Sequence, residues 1–221
     1  MAGMAWGSML GYLLLLMMFT GGMYPIIDMT AGEKERKTME ALLSAPASRR
    51  EIVLGKNFAA VTAILITAIL TLGSLVYSLK STSLSSKSPE LQEMMQTIPL
   101  DVHTLTLIGV TLVPLAMFAA SLMFAIALFA RSYKEAQSYL MPLLMVVIFP
   151  ALMGGLSGMA MTPVLCLIPI FNASQMIRGI LLGDVTTANF AIMTVANLVY
   201  AGIAFVIASR QFENESVLFR S

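Results

Sequence analysis

Charge is scarce in this chain of 221 residues: 11% of its side chains are Asp, Glu, Lys or Arg, and it has one histidine, one cysteine and one tryptophan. Each shortage removes a class of chemistry. A lone cysteine cannot close a disulfide within the chain, and Cys166, set in the apolar run 164–168, reads as a buried and inert thiol. With a single histidine, His103, neither a Cys/His zinc site nor the H-E-x-x-H helix of a metalloprotease can be assembled. Residues 55–57 read Gly-Lys-Asn, and Arg50 stands where the first glycine of G-x-x-x-x-G-K-[ST] would be, so no phosphate cradle is present and the chain does not hydrolyse ATP by itself. No cofactor and no metal site are expected. A net charge of +1 gives no footprint for nucleic acid. An intramembrane protease or a lipid-modifying enzyme is the rival class, and no span carries a serine facing a base or a paired acid that would support it.

What the chain has instead is apolar length. Hydrophobic residues make up 58% of it and the mean hydropathy is +0.85, far above soluble proteins. Runs of about 20 apolar residues are long enough to cross a hydrocarbon core. Five qualify, at about 2–27, 58–79, 105–130, 139–156 and 190–208, and they predict an all-α, polytopic helical membrane protein with one transmembrane domain over 1–221. The first run lacks a basic start and a cleavage site and is too long for a signal peptide, so it is expected to span.

Basic residues set the orientation, because cytoplasmic loops retain Lys and Arg. With the 28–57 loop inside, Lys34, Arg36, Lys37, Arg49, Arg50, Lys56, Arg131, Lys134, Arg210 and Arg220 are cytoplasmic, and Lys80, Lys87 and Arg178 are outside. The C-terminus is then inside and the N-terminus outside. A leading span inserted that way suggests that a further helix precedes it.

The most charged part of the chain is 32–56, with 10 ionisable residues between two apolar runs. The pattern predicts a helix over 32–45, a break at Pro46 and a second start leading into the next span. Glu33 and Glu35 would sit in the first turn, where the helix dipole favours acids, and Glu33 and Lys37 are spaced i,i+4. Glu33, Arg36, Lys37 and Glu40 share one side of that helix and Met39, Leu42 and Leu43 another. An amphipathic helix of this kind lies along a membrane surface or in a protein groove, and an ordinary solvated loop is the plain alternative.

The order Glu33, Glu35, Arg36, Thr38, Glu40, Leu42, Leu43, Pro46, Arg49, Gly55, Lys56 resembles the intracellular signature of ABC type-2 transporter permeases, in particular the sodium-export branch. Similar correspondences run through 130–137, through Ile168-Pro-Ile-Phe-Asn172 with its following helix, and through the ending 212–220. The resemblance implies a membrane-spanning permease of the cytoplasmic membrane that works with a separate ATP-binding subunit. It also implies a second permease copy or homologue beside it in the bilayer. It makes 32–45 a coupling helix, with Glu33, Glu35, Arg36, Lys37, Thr38, Glu40, Leu42, Leu43, Pro46 and Arg49 as the residues that couple to the ATPase. Against the family's pattern, a cytoplasmic N-terminus, a first span and a large external domain are expected upstream, so the chain resembles the C-terminal part of a full permease. A fragment that serves as a non-transporting membrane anchor is the alternative.

Glycines and prolines at 154, 155, 158, 163 and 169 break the sequence after the fourth run into 159–168 and 170–182, each too short to cross. A re-entrant helical pair over 159–182 on the outer side is the expectation, with Pro169, Asn172, Gln175 and Arg178 at an outer gate. A kinked external loop is the alternative. Gly3, Gly7 and Gly11 form overlapping G-x-x-x-G units that suit close packing within the chain or between two copies. The spans hold no ionisable residue at mid-depth, so a sodium substrate rests on the resemblance alone. The nineteen methionines are read as apolar filling.

Overall fold

The computed structural model describes residues 2–44, 46–85, 101–157, 164–183 and 185–214. Helix α1 (Ala2–Ile27) carries no charge and contains Pro25 near its end. Proline has no N–H to give to the preceding turn, and just beyond it the chain widens into a π-helical turn, Asp28–Gly32, in which Thr30 Oγ1 donates to the Ile26 carbonyl at 2.6 Å. A one-turn helix, α2 (Glu33–Glu35), and a short helix, α3 (Met39–Leu43), follow.

Helix α4 (Arg49–Ser85) opens on a reciprocal capping box. Ser48 N donates to Glu51 Oε2 at 2.8 Å and Glu51 N donates to Ser48 Oγ at 3.3 Å. Asp101 caps α5 (Val102–Ala127) by accepting from Thr104 N at 3.1 Å. Ser132 and Glu135 begin α6 (Tyr133–Ser157), where the Glu135 carboxylate also accepts from Arg131 N at 2.7 Å. After a 3-10 turn at Leu165–Leu167 come α7 (Phe171–Leu182) and α8 (Thr187–Glu213).

The described fold is all-helical, and four stretches are long and apolar enough to cross a membrane: Met9–Glu35, Arg49–Ser78, Val102–Ala127 and Thr187–Glu213. The remaining expected span, 139–156, falls in α6, whose side chains from residue 150 on lie outside the described residues. The start of the expected re-entrant pair, 159–163, and most of the linker 80–103 also lie outside them.

Helix α5 is the most buried of the four candidate spans and touches α1, α4, α6, α7 and α8; α1 packs against α4, α5, α6 and α7, with Leu14, Leu15, Met18, Phe19, Met23 and Ile26 buried along it. Helix α8 lies on α5 through Met193, Asn197, Ala201, Ala204, Ala208 and Phe212, a stripe at helical spacing. Its alanines let the two backbones approach closely. The opposite stripe, Val195, Val199, Ile203 and Val206, is exposed and wholly apolar, as a lipid-facing surface requires.

Two close crossings use glycine. A Cβ on Gly21 would lie 2.5 Å from Thr67 Cγ2, and one on Gly22 would lie 2.4 Å from Ile64 Cγ1, so the Thr67 and Ile64 side chains of α4 pack directly on the α1 backbone there. A Cβ on Gly11 would stand 3.2 Å from the Ser174 carbonyl of α7. At Gly11, therefore, the glycine pattern serves packing inside the chain.

Helix α7 has 12 residues, about 18 Å at 1.5 Å each, which is short of a hydrocarbon core of about 30 Å. Ile177 and Leu181 share a small apolar cavity with Leu10 and Leu14 of α1, Leu72 and Val76 of α4 and Ile108 of α5. This places α7 at the end of the bundle opposite the charged segment.

Candidate functional site

The charged segment does not form one stiff helix over 32–45. Its first turn, α2, closes with a Schellman arrangement: Thr38 N donates to the Glu33 carbonyl at 3.0 Å and Lys37 N to the Lys34 carbonyl at 3.0 Å, with Lys37 at φ 56°. The chain turns there before α3 begins at Met39. Periodicity did not reveal this break because a Lys occupies the left-handed position that glycine normally takes. The left-handed conformation costs a non-glycine residue about 1–2 kcal/mol, so Lys37→Gly is expected to stabilise the protein by about 1 kcal/mol. Thermal unfolding of the purified variant in detergent reads this, and a lowered midpoint would contradict the left-handed assignment.

Several of the segment's charges, buried or exposed, bond other parts of the chain. Lys56, buried at 8% exposure in α4, pairs with the Glu33 carboxylate and donates to the Met29 carbonyl at 2.7 Å. The Phe212 ring of α8 lies 5.7 Å from the same ammonium. Lys34 reaches the end of α5, donating to the carbonyls of Leu128 and Ala130, and so supplies a cation where the helix dipole favours one. Glu35 accepts from Tyr133 N at 2.7 Å and covers an orphan donor at the start of α6. Arg36 bonds Asp28 at 2.8 Å, and that hydrogen bond and charge hold its guanidinium above its ordinary range.

On the α4 side, Arg49 donates to the Glu213 carbonyl at 2.8 Å and Arg50 pairs with the Glu213 carboxylate at 2.8 Å, joining α4 to the end of α8. Deeper in, Asn57 Nδ2 donates to Ser121 Oγ of α5 at 2.9 Å. The ends of α1, α4, α5, α6 and α8 are thus held together by side chains of one segment and its neighbours.

The residues of the signature divide accordingly. Glu33 and Glu35 bond within the chain, Met39 is buried, and Leu42 is half-buried against the core. Lys37, Thr38, Ala41, Ser44, Pro46 and Ala47 are exposed and form an outward ridge. The side chains of Glu40 and Leu43 lie outside the described residues. Sequence reasoning put Lys56 at the close of the signature without a partner. The available signal was that an ammonium flanked by an apolar run must find an anion or carbonyls.

At the opposite end, Pro169 and Phe171 close a γ-turn around Ile170, with Phe171 N donating to the Pro169 carbonyl at 2.9 Å and Ile170 at φ 72° and ψ −54°. That geometry is rare and strained. Asn172 is fully buried and donates to the Cys166 carbonyl at 2.9 Å and to Asn197 Oδ1 of α8 at 3.3 Å, while Asn197 Nδ2 faces Asn172 Oδ1 at 3.5 Å. Gln175, also buried, accepts from Arg178 at 3.2 Å. Tyr200 Oη donates to the Leu167 carbonyl at 2.7 Å. The four residues expected at an outer gate thus lie on one short stretch, and Asn172 ties it to α8.

Long apolar helices, gathered at one end by a short charged segment and broken at the other by a short helix, define a multi-pass helical membrane protein. The comparison with known families is specific. Residues 3–210 match the family described as ABC-2 family transporter protein, and the chain belongs to it. It is similar to the ABC transporter permease protein NatB of Bacillus subtilis (strain 168), with 27% identity over 209 residues, 93% of this chain and 52% of the relative. The chain thus spans about half the length of that relative.

Proposed function

We propose that this chain is the membrane-spanning permease subunit of an ABC exporter of the cytoplasmic membrane, driven by a separate ATP-binding subunit that docks on the ridge at Lys37, Thr38, Ala41 and Pro46. The observation that carries the reading is the division of the 33–48 segment. One side is bonded to α4, α5 and α6 and the other is exposed, as an element must be if it receives a push from outside and passes it to the helices. Family membership supports the reading, because such permeases work with an ATP-binding subunit and as pairs.

In this arrangement the charged end faces the cytoplasm, which agrees with the excess of Lys and Arg there. Helix α6 is the fourth of five spans and the C-terminus is inside. Asn197 lies ten residues into α8, about 15 Å from its start. Its pairing with Asn172 supports a re-entrant element that dips to mid-depth and returns to the outer side, with Pro169, Asn172, Gln175 and Arg178 bordering the outer gate. Na+ is the first substrate to test, from the resemblance to sodium-export permeases. An ion crossing here would be met by neutral oxygens, since the described interiors of α1, α4, α5 and α8 hold no carboxylate at mid-depth.

Co-purification tests the docking ridge. The tagged chain, co-expressed with ABC ATP-binding subunits from its own genome, is expected to retain one of them, and Lys37→Glu combined with Thr38→Trp is expected to reduce retention at least fivefold while the chain remains folded. Equal retention by the ridge variant would remove the ridge from the interface.

A further inference from the structure

We infer that Lys56 is the positioning residue that routes movement of the coupling segment into α4 and α8, acting through Glu33; the inference rests on the permease reading above. The geometry is specific. The Lys56 ammonium is met by the Glu33 carboxylate from α2, by the Met29 carbonyl from the π-helical turn and by the Phe212 ring from α8, and its own backbone belongs to α4. Three elements therefore converge on one buried cation. Glu33 is the side chain of α2 bonded to the buried cation that α4 and α8 share, whereas Lys34 bonds the end of α5 and Glu35 the start of α6; Arg49 and Arg50 join α4 to Glu213 of α8 at the exposed rim.

The chemistry suits a pivot. An ammonium with a carboxylate, a carbonyl and an aromatic face around it is satisfied from several directions, and separating it from Glu33 would leave a poorly hydrated charge at the edge of the apolar run. The segment and α4 therefore move as one body as long as the pair holds. The contacts at Lys34 and Glu35 form a second branch, from the same segment to α5 and α6. The two branches can be tested separately.

The experiment uses the chain assembled with its ATP-binding subunit in lipid nanodiscs, with Cys166→Ala as background. Single cysteines carry an environment-sensitive fluorophore at Ser74, toward the far end of α4, or at Met145 on the exposed face of α6. MgATP with vanadate is added as the probe. Wild type is expected to respond at both positions. Lys56→Met is expected to lose the Ser74 response at least fivefold while the Met145 response stays within twofold, and the charge exchange Glu33→Lys with Lys56→Glu is expected to restore the Ser74 response. Should Lys56→Met not assemble, Glu33→Gln makes the same test with the shape kept.

Parallel loss at both positions would show a general structural role and overturn the inference, as would an unchanged Ser74 response. No response at either position in wild type, or no assembly with an ATP-binding subunit, would instead overturn the permease reading on which it rests.

Discussion

Gly22→Ala is expected to lower the melting temperature of the purified protein by roughly 2–12 °C, the shift that an overpacking cost of about 1–3 kcal/mol produces in a chain of this size. The added Cβ would lie 2.4 Å from Ile64 Cγ1, 2.7 Å from Ile64 Cδ1 and 3.0 Å from Met123 Cε; the Met123 methyl can swing aside, but Ile64 has to leave its place or α1 has to pull away from α4. In a membrane there is little hydrophobic drive to force such helices back together, and close packing carries the contact. Gly21→Ala meets Thr67 in the same way, with three of its atoms within 2.8 Å of the new Cβ. The controls are Gly73→Ala and Gly202→Ala, where no atom lies within 4 Å of the new Cβ. These are expected to be neutral or stabilising by up to about 1 kcal/mol, since alanine is the better helix residue. Adding Ile64→Ala to Gly22→Ala should recover part of the loss. Equal melting temperatures for Gly22→Ala and Gly73→Ala would show that α1 and α4 do not cross at this point.

Asn172→Leu has the next largest expected effect, about 1–2 kcal/mol of lost stability. Asn172 and Asn197 are both fully buried and face each other across α7 and α8, and the Cys166 carbonyl depends on the same Asn172 amide. Removing the Asn172 carboxamide takes from Asn197 its partner in this buried pair, and that desolvation is most of the cost. Removing both should therefore cost less than the sum of the two single changes. The double-mutant cycle for Asn172→Leu and Asn197→Leu measures this directly, and strict additivity would contradict the pairing.

The long helices were legible because an apolar run of about 20 residues has few other uses, and Ser48, Asp101 and Ser132 mark helix starts by ordinary capping chemistry. The charged segment was legible as a site but not in shape. Its composition reads as one amphipathic helix, whereas the Schellman turn at Lys37 is fixed by backbone bonds that leave no glycine in the sequence. Which charges faced inward was equally hidden. Glu33 and Lys56 are 23 positions apart, and Glu35 and Tyr133 are 98 apart. A helical wheel of 32–45 puts Glu33, Arg36 and Lys37 together on a partner-facing side. In the fold Glu33 faces Lys56, Arg36 binds Asp28, and Lys37 stands outward. Asn172 was read from sequence as a gate residue because it is polar within an apolar stretch; its pairing with Asn197 depends on how α7 folds back on α8.

Site-directed cross-linking tests the docking of the charged segment most directly. The native Cys166 is the chain's one cysteine, so Cys166→Ala leaves a clean background. Thr38→Cys, on the exposed ridge, and Ser74→Cys, on the exposed face toward the other end of α4, are each treated with a short cysteine-to-amine cross-linker in the presence of the co-purified ATP-binding subunit. A cross-linked heterodimer with Thr38→Cys and none with Ser74→Cys is the expected result. A co-purified complex that cross-links at neither position, or equally at both, would contradict docking on this segment.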